Sequence, residues 1–390
     1  MKHGGDWIES DNSAMCNRTS NSRTTLLIVC NVASSYTGNI GSSIAALAHA
    51  ALERGWKVVI LLPEEARGEN STTAFAGLDL VFAPFSPFGL AGCLKKNRKE
   101  LSRDKRVLVH LNFVGSLETA IFKSYFDHIV FHHHMAPKPK SASIKGKFKE
   151  TIQRSIYRGI TLVGVSDPVA CELAALYPRS ICISVPNAID FHRLGAPEPA
   201  PSKPHDSFLL GVFGNHFMRK GVDIAIEAVS IASSHGVPCK LEIYASEPNE
   251  ISDMVETLVL NYKLPGDSVL LRHTREDVAS IYNSLDVFMS PSRSEAFCTA
   301  VVEASYCAPQ VIASLVPGQD SLRVIPGTIW FDIKGGALAL AGAIEDAWEQ
   351  VESGNLDAIK DAQRRYVLSH YALDEWVQRM LDVFDKALRG

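Results

Sequence analysis

The 390-residue sequence contains no apolar run near the roughly 18 to 20 residues a membrane-crossing helix needs, so no transmembrane span is expected. Residues 1–24 lack an apolar centre and are rich in Ser, Asn and Thr. They read as a flexible tail (1–23) rather than a secretory leader. The eight cysteines are scattered, with no C-x-x-C pair and no ligand-like spacing with His, so disulfide and zinc frameworks are set aside. Reduced thiols in a cytoplasmic protein are the reading that remains. No G-x-G-x-x-G follows the first apolar run, where Gly38-Asn39-Ile40-Gly41 is the only close glycine pair, and a dinucleotide fingerprint is therefore not supported.

What is present is ordinary globular composition, 46% hydrophobic and 21% charged, in a chain long enough for two domains. The net charge of −4 hides an asymmetry: residues 1–200 carry 23 Lys and Arg against 17 Asp and Glu, and the remainder carries 16 against 26. Residues 95–158 concentrate it further, with 15 basic and 5 acidic side chains. Such a patch can face an anionic membrane or a diphosphate-bearing acceptor, or be no more than a solvated helix face. Nothing points to nucleic acid.

Short apolar runs alternate with helical patterns along the whole chain, which predicts parallel sheets. Strands are expected at Thr24–Cys30, Lys57–Leu62, Leu78–Phe82, Arg106–Leu111, His128–His132, Thr161–Ser166 and Ile181–Val185. A glycine-bearing loop over Asn31–Gly41 precedes a helix from Ser42 to Arg54, which Gly55 ends. A Pro-rich segment over 195–205 reads as a linker. Beyond it the alternation resumes at Ser207–Phe213, and the last helices are placed at Leu356–Ser369 and Asp374–Leu388.

The most informative stretch is Ser290-Pro291-Ser292-Arg293-Ser294-Glu295-Ala296-Phe297-Cys298-Thr299-Ala300-Val301-Val302-Glu303-Ala304. A buried strand, Leu285–Met289, ends in Ser/Pro turn chemistry, and a helix of small apolar residues follows from about Phe297 to Tyr306. Glu303 falls on that apolar helix, and a buried carboxylate needs a partner. If Glu295 precedes the helix, the two carboxylates stand roughly 12 Å apart, with the amides near Phe297, Cys298 and Thr299 between them, a site for phosphate oxygens. A plainer alternative stays open: Glu295 complements the helix dipole and Glu303 meets a buried Arg or backbone group.

Pro-Ser-x-x-Glu, seven residues and a second Glu, followed by Pro309-Gln310-Val311-Ile312-Ala313-Ser314, resembles the donor-binding motif of glycosyltransferase family 4, retaining enzymes of GT-B fold. The resemblance implies that Glu295 contacts the donor sugar and Glu303 the ribose hydroxyls. Gly214-Asn215-His216-Phe217-Met218-Arg219-Lys220-Gly221 looks like the family's Gly-Arg-x-x-x-x-Lys-Gly segment, which grips the donor diphosphate. Lys220 matches the Lys, Asn215 stands where Arg is usual, and Arg219 is the neighbour of Lys220. Two cations at a helix start oppose its dipole, a conflict that a bound diphosphate would remove. Pro186-Asn187-Ala188-Ile189-Asp190 resembles the family turn before the interdomain linker, with Ala188 for Gly, and Gly318 falls where a glycine often lies near the donor.

By the same resemblance Gly38 and Gly41 approach the donor phosphates and acceptor, and a strand-ending His contacts a sugar hydroxyl. His134 is the first choice for that role and His133 the second. His132-His133-His134 is not read as a metal site, because adjacent residues in extended chain face opposite ways. His110 is a weaker candidate for the acceptor side. Ala296 and Cys298 stand where Gly is common and narrow the sugar end. No Asp-x-Asp occurs, so no metal and no other cofactor is expected.

The expected fold class is α/β: a GT-B pair of facing Rossmann-like domains with parallel sheets and a deep interdomain cleft. Its domains are 24–194 for the acceptor side, 206–370 for the donor nucleotide and 371–390 as a helix returning to the first. The expected activity is metal-independent transfer of a sugar, with retention, from a UDP- or GDP-linked donor to a saccharide or lipid-linked hydroxyl acceptor in surface polysaccharide or glycolipid assembly. Lys220, Glu295 and His134 carry the chemistry. Arg219, Asn215, Ala296, Phe297, Cys298, Thr299 and Glu303 complete the donor side. The chain would be cytoplasmic, with peripheral membrane contact through residues 95–158. The alternatives are a nucleotide-sugar epimerase on the same fold and a non-catalytic nucleotide-binding subunit.

Overall fold

The structure, a computed structural model, describes residues 24–32, 38–68, 75–101, 106–137, 143–195, 207–274, 277–353 and 356–389. The expected tail, all but the first residue of the Pro-rich linker, and parts of the 31–41 and 136–150 loops lie outside them. The chain divides into two compact units, one running to Ala188 and resuming at Leu373, the other spanning Ile189–Ala372.

The apolar runs of the first unit become β1 (Thr24–Cys30), β2 (Lys57–Pro63), β3 (Leu80–Ala83), β4 (Arg106–Asn112), β5 (His128–His133), β6 (Thr161–Gly164) and β7 (Ile181–Ser184). They form one parallel sheet in the order β3-β2-β1-β4-β5-β6-β7. The order reverses between β1 and β4, the place where open α/β sheets bind ligands at their carboxyl ends. Both faces are covered, which is why the central strands read as unbroken apolar runs. One face holds Leu26, Ile28, Ile60, Leu108 and Val130 against Ile44, Leu47 and Ala51 of the helix Gly38–Glu53. The same face receives the last helix, Leu373–Arg389, through Trp376, Val377, Met380, Leu381 and Phe384, a stripe of helical period.

One sequence expectation changes here. The first helix begins at Gly38 rather than Ser42, so Gly38 and Gly41 lie in its first turn and not in the loop before it. Asn39 secures that turn by donating its side-chain amide to the Ala188 carbonyl, while Ser43 Oγ bonds Asn39 O at 2.8 Å. Packing and these bonds outweigh the weak helix propensity of glycine. Gly55 ends the helix as expected: its φ of 78° lets Trp56 N reach Ala51 O at 3.0 Å.

The second unit repeats the plan with β8 (Phe208–Phe213), β9 (Cys239–Ala245), β10 (Val269–His273), β11 (Val287–Ser290), β12 (Gln310–Ser314) and β13 (Ile329–Phe331), all parallel in the order β10-β9-β8-β11-β12-β13. The helices Val222–Ser234 and Gly336–Glu352 lie side by side on this sheet, their alanines allowing close approach. On β11 and β12 rest Thr299–Cys307 and, against it, Leu356–Tyr371.

Candidate functional site

In the second unit, β8 ends in Phe213 and the chain turns through Gly214, Asn215 and His216, the last in the left-handed region at φ 61°. Asn215 clamps this turn to the end of β9: its Nδ2 donates to Ser246 Oγ at 3.0 Å and its Oδ1 accepts from Ser246 N at 2.9 Å. The residue in the usual Arg position therefore fixes the backbone and brings no charge. A short helical turn, Phe217–Lys220, stops at Gly221, and the helix Val222–Ser234 starts there with no side-chain cap. The two are separated at Gly221, where the chain passes against Pro291. A Cβ on Gly221 would lie 2.0 Å from the Pro291 carbonyl oxygen, and its φ is 70°.

This close passage brings the two motifs together. Glu295 Oε1 accepts from Lys220 Nζ at 2.7 Å, from Ser292 Oγ at 2.8 Å and from Arg219 Nη1 at 3.3 Å, and the Glu295 side chain is 8% exposed. Burial works against the Lys220 charge, but Cys298 and Glu295 opposite it leave its pKa raised. Burial pushes the Cys298 thiol upward, so that thiol is neutral at pH 7 and Glu295 is the actual counter-ion. The anion that the paired cations called for is thus supplied by Glu295. Arg293 braces the arrangement with a bidentate pair to Asp223 at 2.7 and 2.6 Å, and its N bonds Arg219 O at 2.8 Å.

Glu303 is buried on Thr299–Cys307 and has two partners: Arg193 Nη2 on one carboxylate oxygen and Tyr282 Oη on the other, at 3.0 Å. Burial raises its pKa, opposed by the Arg193 charge and the Tyr282 hydrogen bond. The plainer sequence alternative gives Glu303 an Arg partner, and the structure supplies one that is half-buried, the Arg193 side chain being 22% exposed. The helix itself begins at Thr299, two residues later than expected, with Cys298 at its cap. Phe297 precedes it with its ring 5.8 Å from that of Tyr371. The first amides of the helix are therefore those of Thr299 and Ala300, not of Phe297, and Val301 N already bonds Cys298 O at 3.2 Å.

Sequence reasoning missed the polar residues beneath this loop. Ser314 Oγ donates within a buried group made by the Ser290 and Ser292 carbonyls and Gln319 Oε1, and Gln319 Nε2 returns to Ser290 Oγ. Gly318 sits against the Glu295–Ala296 backbone: a Cβ there would be 2.1 Å from Glu295 O. Gly318 is legible in the sequence; Ser314 and Gln319 are not, because their partners lie in the loop after another strand.

In the first unit, the histidines divide by strand alternation. His132 and His134 share one side, rings 4.3 Å apart, and His133 turns to Phe131 and Tyr157 on the other. His134 stacks on Phe113 at 4.3 Å, and its Nε2 meets Asn112 Oδ1 at 2.9 Å. His110 is fully buried between Phe384 and His132, within β4, and so presents no surface to an acceptor. Burial lowers every one of these histidines, His110 and His134 to about 3 and His133 to about 4, so all are neutral at pH 7. Beside them opens a cavity of about 580 Å³, lined by Phe113, His133, His134, Gln153, Tyr157 and Tyr177 among others.

Residues 198–365 match the family of glycosyl transferases group 1. Over 364 residues the chain is 25% identical to a phosphatidylinositol N-acetylglucosaminyltransferase subunit of Homo sapiens, spanning 90% of this chain and 73% of that protein. Among solved structures it resembles a glycosyltransferase from Rickettsia africae ESF-5, with a TM-score of 0.75 and 16% identity over 95% of this chain and 100% of that one. It also resembles Anabaena HepE in complex with UDP-glucose, with a TM-score of 0.71 and 15% identity over 93% of this chain and 99% of that one. The two parallel Rossmann-like sheets give this chain the fold of these solved structures, and residues 198–365 resemble the group 1 glycosyl transferases.

Proposed function

We propose that the chain is a retaining glycosyltransferase of family 4. It would move a sugar from a UDP- or GDP-linked donor to a hydroxyl of a saccharide or lipid-linked acceptor, in glycolipid or surface-polysaccharide assembly on the cytoplasmic side of a membrane. The observation that carries this is the convergence of Arg219, Lys220 and Glu295 beside the uncapped start of Val222–Ser234.

A diphosphate is the ligand for which this geometry is useful. Arg219, Lys220 and the open amides stabilise charge as the nucleoside diphosphate departs from an oxocarbenium-like sugar. They are fixed before the reaction, so little reorganisation is needed when charge develops. Glu295, released from the two cations by the incoming phosphates, orients sugar hydroxyls, and Ser292 keeps hold of its carboxylate. Glu303 receives the ribose hydroxyls. Neutral His134, aligned by Asn112 and Phe113, offers a hydrogen bond to a sugar hydroxyl and cannot act as a charged acid at pH 7. Gly38 and Gly41, in the first helical turn of the first unit, leave room there for phosphate or acceptor. Neutralisation by side chains takes the place of a divalent ion.

The test is transfer from UDP- and GDP-sugars in EDTA, followed by proton NMR of the anomeric signal. A first-formed product with the donor's configuration supports the reading; an inverted product, or turnover that starts only on adding magnesium, overturns it.

A further inference from the structure

The first sheet carries three helices in a row on one face. The connections β3 to β4, β4 to β5 and β5 to β6 all advance the same way across the sheet, and right-handed crossovers place their helices together. Pro87–Leu101 packs on Ser116–Tyr125, which packs on Ile144–Tyr157. Each runs against its strands, so the three N-termini gather at the carboxyl edge of the sheet.

That edge is apolar and open. Phe88 is 92% exposed, Ile144 87%, Phe148 68% and Leu117 64%, all in the first two turns of their helices. Met135, just beyond β5 at the same edge, is 67% exposed. Ile152 continues the row Ile144, Phe148 along one stripe of its helix and is also exposed. Large apolar side chains clustered in this way on one edge call for a partner.

The charge between them says which. Lys145, Lys147 and Lys149 lie within the first six residues of Ile144–Tyr157, whose first turn has no acidic residue. Cations at a helix N-terminus oppose its dipole, so they do not serve the helix. Lysines interleaved with Ile and Phe are what an anionic lipid surface takes: ammonium groups meet phosphates while the apolar side chains enter the acyl boundary. A second copy of the chain would bring like charge to like charge.

We propose that this edge, centred on Ile144 and Phe148, docks on the surface of an anionic bilayer. Docking brings the mouth of the 580 Å³ cavity, which Gly146, Lys149 and Gln153 of the same helix line, to the lipid surface. The inference extends the proposed acceptor side, and its readout is independent of nucleotide binding.

The test is flotation of the full chain with vesicles of phosphatidylglycerol and phosphatidylcholine in equal parts, and with phosphatidylcholine alone, at low salt. Two double variants are compared with the wild type: Ile144→Ser with Phe148→Ser, and Lys145→Glu with Lys147→Glu. All four side chains are exposed, so both variants should fold, and thermal melts matching the wild type would show that they do. The expected result is binding to the anionic vesicles only, reduced about tenfold or more by either variant. No binding of the wild type, or binding that both variants leave unchanged, overturns the proposal. So does light scattering that shows a wild-type dimer made monomeric by the serine variant, since the edge would then be an interface between copies.

Discussion

Arg193 and Glu303 form an ion pair across 110 positions of sequence, with the Tyr282 hydroxyl on the carboxylate's other oxygen. Arg193 stands in the helical turn Phe191–Leu194, at the start of the second unit, and Glu303 in the helix after the loop that carries Glu295. Burial raises the pKa of this carboxyl, and the Arg193 charge and the Tyr282 hydrogen bond oppose that rise.

Removing the cation leaves Glu303 with Tyr282 alone. Arg193→Ala is expected to lose roughly 2 to 4 kcal/mol of stability at pH 7, as breaking one side of a buried pair does. The sign with pH is distinctive. A carboxyl whose folded pKa is raised is most stabilising when protonated, below its unfolded value, and that contribution is lost as pH rises through the folded pKa. Urea unfolding should therefore show Arg193→Ala regaining stability on mild acidification relative to the wild type. Parallel pH curves for the two proteins would show that Arg193 does not govern Glu303.

Lys220→Ala removes the short contact to Glu295 and, by the proposal, the principal diphosphate cation. Turnover is expected to fall about a hundredfold or more, the loss of a preorganised charge contact to the transition state. Stability should change by only about 1 kcal/mol, since Ser292 and Arg219 still hold Glu295. Steady-state kinetics beside a thermal melt check this; an active Lys220→Ala protein would remove Lys220 from the chemistry.

Gly318→Ala forces a Cβ to within 2.1 Å of the Glu295 carbonyl oxygen, so the loop must shift. We expect a loss of about 1 to 3 kcal/mol and weaker donor binding. Gly68→Ala is the control: a Cβ there meets nothing within 4 Å. Equal melting temperatures for the two variants would contradict the packing described.

The neutral histidines make stability depend on acid. His110 titrates near 6.5 when unfolded but only near 3 when folded, because burial first and His134 second oppose its charge. Its contribution is complete above the unfolded value and is lost as pH falls through the window toward 3. At pH 5 the loss is about 2 kcal/mol for this residue. His110→Leu should flatten the stability curve between pH 6.5 and 4, read by denaturant midpoints; an unchanged slope would show that His110 is not a source of the acid sensitivity.

Strands are legible because a parallel sheet covered on both faces demands unbroken apolar runs, as in Leu26–Val29 and Val58–Leu62. Helix starts are less so. Gly38 and Gly41 read as loop residues in the sequence, and only the meeting of Asn39 with Ala188 makes them helical. The helix Gly336–Glu352 gives little signal, with a glycine-paired start and an alanine-rich face. Glu295, Glu303 and Lys220 are legible from spacing and resemblance. Arg193, Tyr282, Ser314 and Gln319 are not, because their partners become neighbours only after strands and helices have paired.

The most direct measurement is calorimetric titration of UDP and of GDP, in EDTA and in magnesium, into the wild type and into Glu303→Ala shown by melting to be folded. The account predicts that one nucleotide binds with micromolar affinity regardless of metal, and that the substitution weakens it by about tenfold or more. Failure of both nucleotides to bind, or equal binding by Glu303→Ala, would contradict the donor site.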